Sequence, residues 1–474
     1  MSKLKLFLEN FLVYGFGGII SKVIPLLMVP IVTRLIPDTA HYGLSDLCTT
    51  IVSLCSALAI LGMYDATYRM FFEKDDVDYK KKVCSTTLLF TLGTSFVVAF
   101  LMVLLRGPLS RLFFGDTAYA YLLYIAALST FVSSTNAIIS APTRMQNKRH
   151  IFLITNTLAP ILSYTVSIPL LLRGQYIIAL PVAGVVSGIT LEGAFWLLNR
   201  DWFRPSLFDA ELLKKMLVIA LPLVPNFLVY WLFNSSDRVM IANLLSTAAE
   251  GIYSAGSKLG HASNLIYTAF AGGWQYFAFS TMREENQVKS NSMIFEYLGI
   301  ISFACASLIC AWSFPIYRLL FVGDYAQGYV VSPYLFLAPL LQMLFQVACN
   351  QFLVVKKTWP NLFILSFGML LNVALNFILI PRIGIEGAAI ATLLGYLSSD
   401  IIVCAALIGM KLMTISGRFV VCSGLLVGYC IIWRLCFRER AVVSFCLSLA
   451  LILAYLFAYR DDIKRLARNL NAKK

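Results

Sequence analysis

Long uncharged apolar runs follow one another along almost the whole chain, with short polar connections between them. A run of about 18 or more such residues can cross a bilayer as one helix. The strands of a membrane barrel would instead show about ten alternating residues each, so the pattern predicts an all-α polytopic membrane protein. Its fourteen predicted spans lie near residues 9–33, 43–64, 84–105, 119–141, 151–172, 176–198, 214–234, 251–279, 292–314, 330–354, 361–380, 385–409, 417–434 and 441–459.

The composition agrees with a membrane protein, since 59% of the 474 residues are hydrophobic and 13% are charged. Lysine and arginine in short connections are retained on the cytoplasmic side. Placing the N-terminus inside puts most of these residues on that side, so we expect both termini to be cytoplasmic. The same bias accounts for the net charge of +14, and the basic runs at 79–82 and 460–474 suit anionic lipid headgroups. We therefore expect membrane lipids, and no nucleic acid, as partners.

Residues that could hold a metal or a cofactor are sparse. The eleven cysteines lie almost wholly in apolar stretches without a Cys-x-x-Cys pair, and the three histidines are scattered. Such cysteines are typical of small hydrophobic packing residues. The sequence therefore predicts no metal site and no bound cofactor.

The chain contains a weak internal repeat, which is a feature of many transporters. Its first half opens with a proline-bearing apolar helix, then Arg34, then "AHYGLSDL", and its second half opens in the same order from residue 213. In this alignment Arg34 corresponds to Arg238. The repeat predicts two bundles that face each other across a cavity and open alternately to either side.

The repeat and a basic linker divide the chain into five predicted segments. The first is an N-lobe with spans one to six (1–198), followed by a cytoplasmic linker (199–213) and a C-lobe with spans seven to twelve (214–409). Spans thirteen and fourteen (410–459) and a basic cytoplasmic tail (460–474) complete the chain.

Three segments carry a resemblance to a known family: "KVIPLLMVPIVTRLIPDTAHYGLSDL" in the first span, "LGMYDATYRMFFEKDD" after the second, and "SSDRVMIANLLSTAAEGIYSAGSKLG" at 235–260. The chain resembles the polysaccharide-export branch of the multidrug/oligosaccharidyl-lipid/polysaccharide (MOP) exporter superfamily. Within that branch it most resembles O-antigen or capsule repeat-unit flippases. The resemblance covers the whole chain in its number of spans, and the segment at 235–260 is its most specific part.

This resemblance implies a flippase in the bacterial inner membrane. It would move a polyprenyl-pyrophosphate-linked oligosaccharide from the cytoplasmic to the outer leaflet by alternating access, for O-antigen, capsule or exopolysaccharide synthesis. No chemistry on the substrate is implied, so we do not expect an enzyme. The resemblance also implies a polysaccharide polymerase and a chain-length regulator as protein partners.

Basic residues in or near spans are the first candidates for substrate binding, because an ionisable residue in a span usually faces a cavity or a partner. Lys22 and Lys258 both lie inside predicted spans, and Arg34 is about 18 Å beyond Lys22 along an ideal helix. With Arg238 they would form the cationic cavity that the resemblance implies for a pyrophosphate. Arg69 would meet the phosphate at the inward mouth.

Four of these cations also have a structural interpretation. Lys22 could pair with a neighbouring carboxylate, and Arg34 could extend to the membrane surface. Arg238 could pair with Asp237 and hold the start of the next helix. Arg69 could serve as a positive-inside anchor.

Amide side chains form a second candidate surface in span ten. Gln342, Gln346 and Asn350 recur every four residues, which places them on one helical face. They could bond sugar hydroxyls in a wet cavity, or they could bond across helices and stabilise packing. Asn372 and Asn376 in span eleven repeat the same interval.

Four carboxylates in or near spans are candidates for coupling to protons or sodium, because a buried carboxylate can carry a proton or bind a cation. They are Asp46, Glu192, Glu296 and Asp400. Asp400 is the deepest, whereas Glu192 and Glu296 lie within about two turns of cytoplasmic ends and could simply be hydrated. No spacing among the four identifies an ion site.

Two other functions stay open at this point. A cation-coupled drug or metabolite antiporter of the same superfamily would need a sparser, acidic site, and the basic residues of spans one and eight argue against it. A polytopic polysaccharide polymerase or ligase also handles lipid-linked sugars, but such enzymes present larger outer loops than the short connections predicted here.

Overall fold

The computed structural model describes residues 21–268, 270, 274, 278, 286–357 and 359–464, and the regular elements within these ranges are all helical. Twelve of the described helices are long and apolar enough to cross a membrane, and they coincide with twelve of the predicted spans. The other two predicted spans, 9–33 and 251–279, lie partly outside the described residues. The prediction of an all-α polytopic membrane protein is confirmed, and the count of fourteen stays a prediction.

Contacts within the chain divide the described residues into two compact units. The first unit contains the residues up to Ala255 together with Asn372–Ala388. The second contains Gly256–Leu371 together with the residues from Ala389 onward. The N-lobe and C-lobe were predicted from the sequence repeat and do not correspond to these two units. Their bounds stay a prediction.

The helices have the following bounds. Those of the first part of the chain are α1 (21–35), α2 (Thr39–Ile60), α3 (Met63–Phe71), α4 (Val77–Leu104), α5 (Arg106–Phe114), α6 (Leu122–Ile139), α7 (Ala141–Met145), α8 (Arg149–Leu172), α9 (Ala179–Asn199), α10 (Ala210–Ala220), α11 (Val224–Leu244) and α12 (Thr247–Gly260). Those that follow are α13 (Gln287–Leu320), α14 (Ser332–Val354), α15 (Trp359–Ile383), α16 (Ile385–Gly409), α17 (Gly417–Ile432) and α18 (Ala441–Ala458).

Capping residues shift the second span by several residues from its predicted bounds of 43–64. Asp38 accepts a hydrogen bond of 2.8 Å from the N–H of the second helical residue, so α2 begins before the apolar run does. The helix ends where Leu61 and Gly62 adopt positive φ angles of 50° and 73°. A left-handed residue at this position stops an α-helix, and the chain restarts as the short helix α3.

Asp209, in the predicted linker, caps α10 and forms an ion pair with α4. Its carboxylate accepts from the backbone N–H groups of Glu211 and Leu212 at 2.9 and 3.0 Å, which caps α10. The same carboxylate pairs with Lys82 of α4 at 2.5 Å, and the hydrogen bond from Lys82 lowers the pKa of Asp209. The stabilisation is therefore present at neutral pH and is lost as the pH falls through that lowered pKa.

Each unit packs around one central helix. In the first unit α6 lies against α2, α4 and α9, and in the second unit α13 lies against α14, α17 and α18. Large apolar side chains such as Phe96, Phe100 and Leu104 of α4 point outward and are exposed. An apolar exterior of this kind is what a bilayer-spanning helix presents to lipid.

Candidate functional site

Two matching segments bring the first turns of α2 and α12 into contact within the first unit. Both read Thr-Ala-x-x-Gly, at 39–43 and at 247–251. A methyl group on Gly43 would overlap the carbonyl oxygen of Thr247, and one on Gly251 would overlap the carbonyl oxygen of Thr39. Only glycine allows so close an approach of two backbones, so these glycines fix the two helix starts beside each other.

A buried charged cluster lies next to this contact and joins α2, α11 and α12. Arg238 pairs with Asp46, and its backbone N–H donates to Asp237 Oδ1 at 2.9 Å. The Tyr253 hydroxyl donates to Asp237 Oδ2, and the charge of buried Glu250 also acts on Arg238. Removing one member of such a cluster leaves the remaining buried charges uncompensated. We refer to these five residues as the Arg238 cluster.

The other predicted cations lie on α1, α3 and α12, and α12 also carries Glu250 and Tyr253 of the Arg238 cluster. Lys22 and Arg34 are exposed on α1, Arg69 is exposed on α3, and Lys258 is half-buried in α12. The structure thus brings the predicted residues Arg238 and Asp46 together. Within the described ranges it gives neither Arg34 nor Arg69 a hydrogen bond or ion pair with the Arg238 cluster.

The amide side chains of α14 occupy one face of that helix in the second unit. Gln342 and Gln346 are half-buried, and Asn350 is buried. Gln346 donates to the hydroxyl of Tyr267, whereas the Nδ2 atom of Asn350 has no hydrogen-bond partner among the described groups. The neighbouring Gln351 accepts a 2.9 Å hydrogen bond from a glutamine of α13, so that amide contributes to helix packing.

Glu296 is buried within the second unit and fully engaged, so it is not simply hydrated at a helix end. Its carboxylate accepts from the backbone N–H and the hydroxyl of Ser416, both at 2.7 Å, and from the Tyr459 hydroxyl at 3.1 Å. Ser416 is the residue that caps α17. Glu296 therefore fixes the start of α17 and the chain that follows α18.

Asp400 and Glu192 have different surroundings. Asp400 lies buried in α16, and both of its carboxylate oxygens lack a hydrogen-bond partner in the part of the chain that the structure describes. The thiols of Cys349 and Cys404 are its electrostatic neighbours. Glu192 is half-buried in α9 and lines a cavity of about 470 Å³.

These features define a class of protein. It is a polytopic helical membrane protein that keeps a largely buried arginine and several buried carboxylates inside its helices, where charged residues are rare.

The chain belongs to the polysaccharide biosynthesis protein family, whose sequence profile matches residues 7–282. The solved structure of the lipid II flippase MurJ in an inward closed conformation has the same fold, with a TM-score of 0.73 and 15% identity over 95% of this chain and 100% of that one. A MATE family multidrug resistance transporter of the MOP superfamily matches in its inward-facing form with a TM-score of 0.64 and 16% identity, over 83% of this chain and 94% of that one. Its outward-facing form gives 0.58 and 14%, over 83% and 93%.

The family match confirms the resemblance to polysaccharide-synthesis proteins, and the structural matches show that the chain shares its fold with transporters of the MOP superfamily. Identities this low establish the fold and leave the substrate to be argued separately. No curated protein matches this chain.

Sequence reasoning selected Asp46 and Arg238 but did not connect them, and it left Glu250 and Tyr253 out. The signal that could have joined them is the repeated Thr-Ala-x-x-Gly segment. Two helix starts with the same glycine-bearing pattern predict a close contact of the two helices. That contact brings Asp46, three residues after Gly43, near Glu250 and Tyr253, which lie on either side of Gly251.

Proposed function

We propose that this protein is a flippase that moves a polyprenyl-pyrophosphate-linked oligosaccharide from the cytoplasmic to the outer leaflet by alternating access. One observation carries the proposal: a member of a polysaccharide biosynthesis family shares its fold, over nearly its whole length, with a lipid II flippase. A lipid-linked saccharide is the substrate class that satisfies both the family and the fold. The product would serve the synthesis of O-antigen, capsule or exopolysaccharide.

The cations named from the sequence have a defined task in this proposal. A pyrophosphate loses water when it enters the bilayer, and lysine and arginine replace part of that hydration with charge-assisted hydrogen bonds. We assign this task to Lys22, Arg34, Arg238 and Lys258, and an entry contact to Arg69. Because Arg238 pairs with Asp46, the phosphate would compete with that carboxylate for the guanidinium.

The amide face of α14 would contact the saccharide. Gln342, Gln346 and Asn350 can each donate and accept hydrogen bonds, as sugar hydroxyls do. The buried and unpartnered Nδ2 of Asn350 supports this assignment, because a buried amide donor without a partner is rare.

Coupling to protons or to sodium belongs to the same proposal, and no other cofactor is included. Asp400 is the first candidate because it is buried and has no partner among the described residues. Glu192 is the second, since it lines a cavity. Asp46 and Glu296 have partners, which makes them weaker candidates for a group that must release its ion.

The proposal also includes a location and partners. The protein would lie in the bacterial inner membrane with both termini cytoplasmic, and the N-lobe (1–198) and C-lobe (214–409) would open alternately. A polysaccharide polymerase and a chain-length regulator would receive the flipped substrate.

One rival is supported by a specific observation. The fold similarity to MATE transporters favours a cation-coupled drug or metabolite antiporter as the second candidate. The polymerase or ligase, an enzyme, has less support, because the structural neighbours are a flippase and transporters.

Transfer in liposomes tests the proposal. The purified full chain is reconstituted with a polyprenyl-pyrophosphate oligosaccharide on one side, and exposure of the headgroup on the other side is measured. We expect transfer by wild type and a loss of about tenfold or more in Lys22→Ala and in Lys258→Ala, since a hydrogen bond to a charged group contributes about 1.5–3 kcal/mol. Lys289→Ala, an exposed lysine of α13, is the matched control and should transfer normally.

The possible outcomes separate the parts of the proposal. Absence of transfer by wild type overturns the flippase. Normal transfer in both lysine variants keeps the flippase and returns the two lysines to a structural role.

A further inference from the structure

A cavity of about 600 Å³ lies in the first unit, and its lining includes no member of the Arg238 cluster. Its polar wall combines residues from α3, α6, α7 and α8: Tyr64, Asp65, Asn136, Arg144, Thr155 and Asn156. The volume falls within the range of roughly 300–1,000 Å³ that is usual for small-ligand pockets. None of these residues is used by the function described so far.

Two amides give the cavity its main chemical feature. The Oδ1 atom of Asn136 and the Nδ2 atom of Asn156 are buried, and neither has a hydrogen-bond partner among the described groups. The protein already bears the cost of these two unpaired buried atoms, about 1–3 kcal/mol each, and only a polar ligand could relieve it. The cavity therefore favours a ligand that brings both donors and acceptors.

A guanidinium and a carboxylate lie at the same cavity without pairing with each other. Arg144 donates to the Tyr64 hydroxyl at 2.9 Å and lies 5.3 Å above the centre of the Phe152 ring, so its position is fixed from two sides. Asp65 makes no ion pair within the described residues, and partial burial raises its pKa. Both charged groups remain available to hydrogen-bond a ligand.

Aromatic rings complete the lining. Phe152, Phe195 and Phe227 lie on three different helices around the cavity. A pocket that combines flat apolar faces with a few convergent polar groups fixes both the position and the orientation of its ligand. Sugar rings match this combination, because they present C–H faces to aromatic rings and hydroxyls to amides, carboxylates and guanidinium groups.

We propose that this cavity is a saccharide-binding subsite, in which Asn136 and Asn156 bond the hydroxyls of a sugar ring and Arg144 and Asp65 hold its edge. The proposal rests on the proposed function, since it assigns the sugar part of the transported headgroup. The cavity lining includes none of the five cations assigned to the pyrophosphate, although Arg69 lies on the same helix as Tyr64 and Asp65.

Binding of free sugars tests the subsite independently of transfer. The purified full chain in lipid nanodiscs is titrated with glucose, galactose, N-acetylglucosamine and glucuronate, and saturation-transfer NMR measures the affinity of each. We expect wild type to bind at least one of these probes. Asn136→Leu and Asn156→Leu should each weaken that binding about tenfold, the loss expected when one or two hydrogen bonds are removed.

The variants are chosen so that folding does not obscure the result. Asn136 Oδ1 and Asn156 Nδ2 have no protein partner within the described ranges, so leucine breaks no internal hydrogen bond at these two atoms. Asn361→Leu is the matched control, because Asn361 is a half-buried asparagine of the second unit whose Oδ1 also lacks a partner. Its sugar affinity should equal that of wild type.

The outcomes are distinguishable from a failure of the flippase. If wild type binds none of the four sugars, or if both cavity variants bind as wild type does, the subsite is overturned while liposome transfer can still support the flippase. If wild type binds sugar through these amides yet transfers no lipid-linked oligosaccharide, the subsite stands and the proposed function is overturned.

Discussion

Glu296 and Asp400 are two carboxylates of the second unit with the same exposure of 6% and opposite surroundings. Glu296 accepts hydrogen bonds from the backbone N–H and hydroxyl of Ser416 and from the hydroxyl of Tyr459. Asp400 has no hydrogen-bond partner in the described part of the chain. Two equally buried carboxylates thus differ in role: Glu296 holds the start of α17, whereas Asp400 holds no helix end through a described hydrogen bond.

The difference follows from the cost of burying polar groups. A buried carboxylate is tolerated when hydrogen-bond donors surround it. Ser416 and Tyr459 donate to Glu296, and Glu296 in turn provides these donors with an acceptor. Among the described residues Asp400 has no such donors, and its burial therefore costs the fold stability. A residue of that kind persists where it serves a purpose other than stability, such as carrying an ion.

The largest expected effect is on stability, from Glu296→Leu. Leucine removes the acceptor for three donors, and each donor left unsatisfied costs about 1–3 kcal/mol, with a lower value for half-buried Ser416. We expect the free energy of unfolding to fall by about 2–4 kcal/mol, measured by thermal unfolding of the detergent-solubilised protein. Asp400→Leu, which removes a carboxylate without partners, is the matched variant and should be neutral or stabilising.

The difference in unfolding free energy between Glu296→Leu and Asp400→Leu tests whether the two carboxylates have different roles. A Glu296→Leu protein that is as stable as Asp400→Leu would show that the bonds to Ser416 and Tyr459 do not hold α17 in place.

A smaller effect is expected from Tyr459→Phe. The ring remains, including its contact with Arg418, whose guanidinium carbon lies 4.1 Å from the ring centre. The substitution removes the hydroxyl, which donates a 3.1 Å hydrogen bond to Glu296 and also interacts with Ser416. We expect a loss of about 1–2 kcal/mol in unfolding free energy, because the acceptor is a carboxylate.

Tyr455→Phe supplies the control for this prediction. The Tyr455 hydroxyl donates to the backbone carbonyl of Cys422 at 3.2 Å, which is a neutral acceptor, so its loss should cost less. If the order of the two variants is reversed in the same unfolding measurement, Glu296 does not provide the stronger anchor.

The sequence identified most of the fold and only part of this contrast. Hydropathy is a local property, so apolar runs located twelve spans correctly. The partners of Glu296 lie 120 and 163 residues further along the chain, and no local pattern predicts contacts at that separation. Glu296 and Asp400 therefore looked alike in the sequence, as single carboxylates in apolar runs.

The cavity of the first unit was missed for a related reason. Asn136 and Asn156 belong to different helices and show no periodic spacing, unlike the amides of α14, whose four-residue interval made them visible. A helix end was misplaced where a single capping residue outweighs hydropathy, as Asp38 does at α2. The features missed in the sequence therefore depend on contacts between distant residues and on helix caps, which hydropathy does not report.

The smallest effect on stability is expected from Asp400→Asn, although it is the most informative about function. Asparagine keeps the shape of the side chain and breaks no described hydrogen bond, so we expect the unfolding free energy to change by less than about 0.5 kcal/mol. Asparagine cannot ionise, so if Asp400 carries the coupling proton, an imposed pH gradient will no longer accelerate headgroup transfer in liposomes. Glu296→Gln, an equally buried substitution that retains a hydrogen-bond acceptor, should still respond to the gradient. If the pH gradient accelerates transfer as strongly in Asp400→Asn as in wild type, Asp400 does not carry the coupling proton. If a sodium gradient accelerates transfer by wild type but not by Asp400→Asn, Asp400 serves sodium coupling instead.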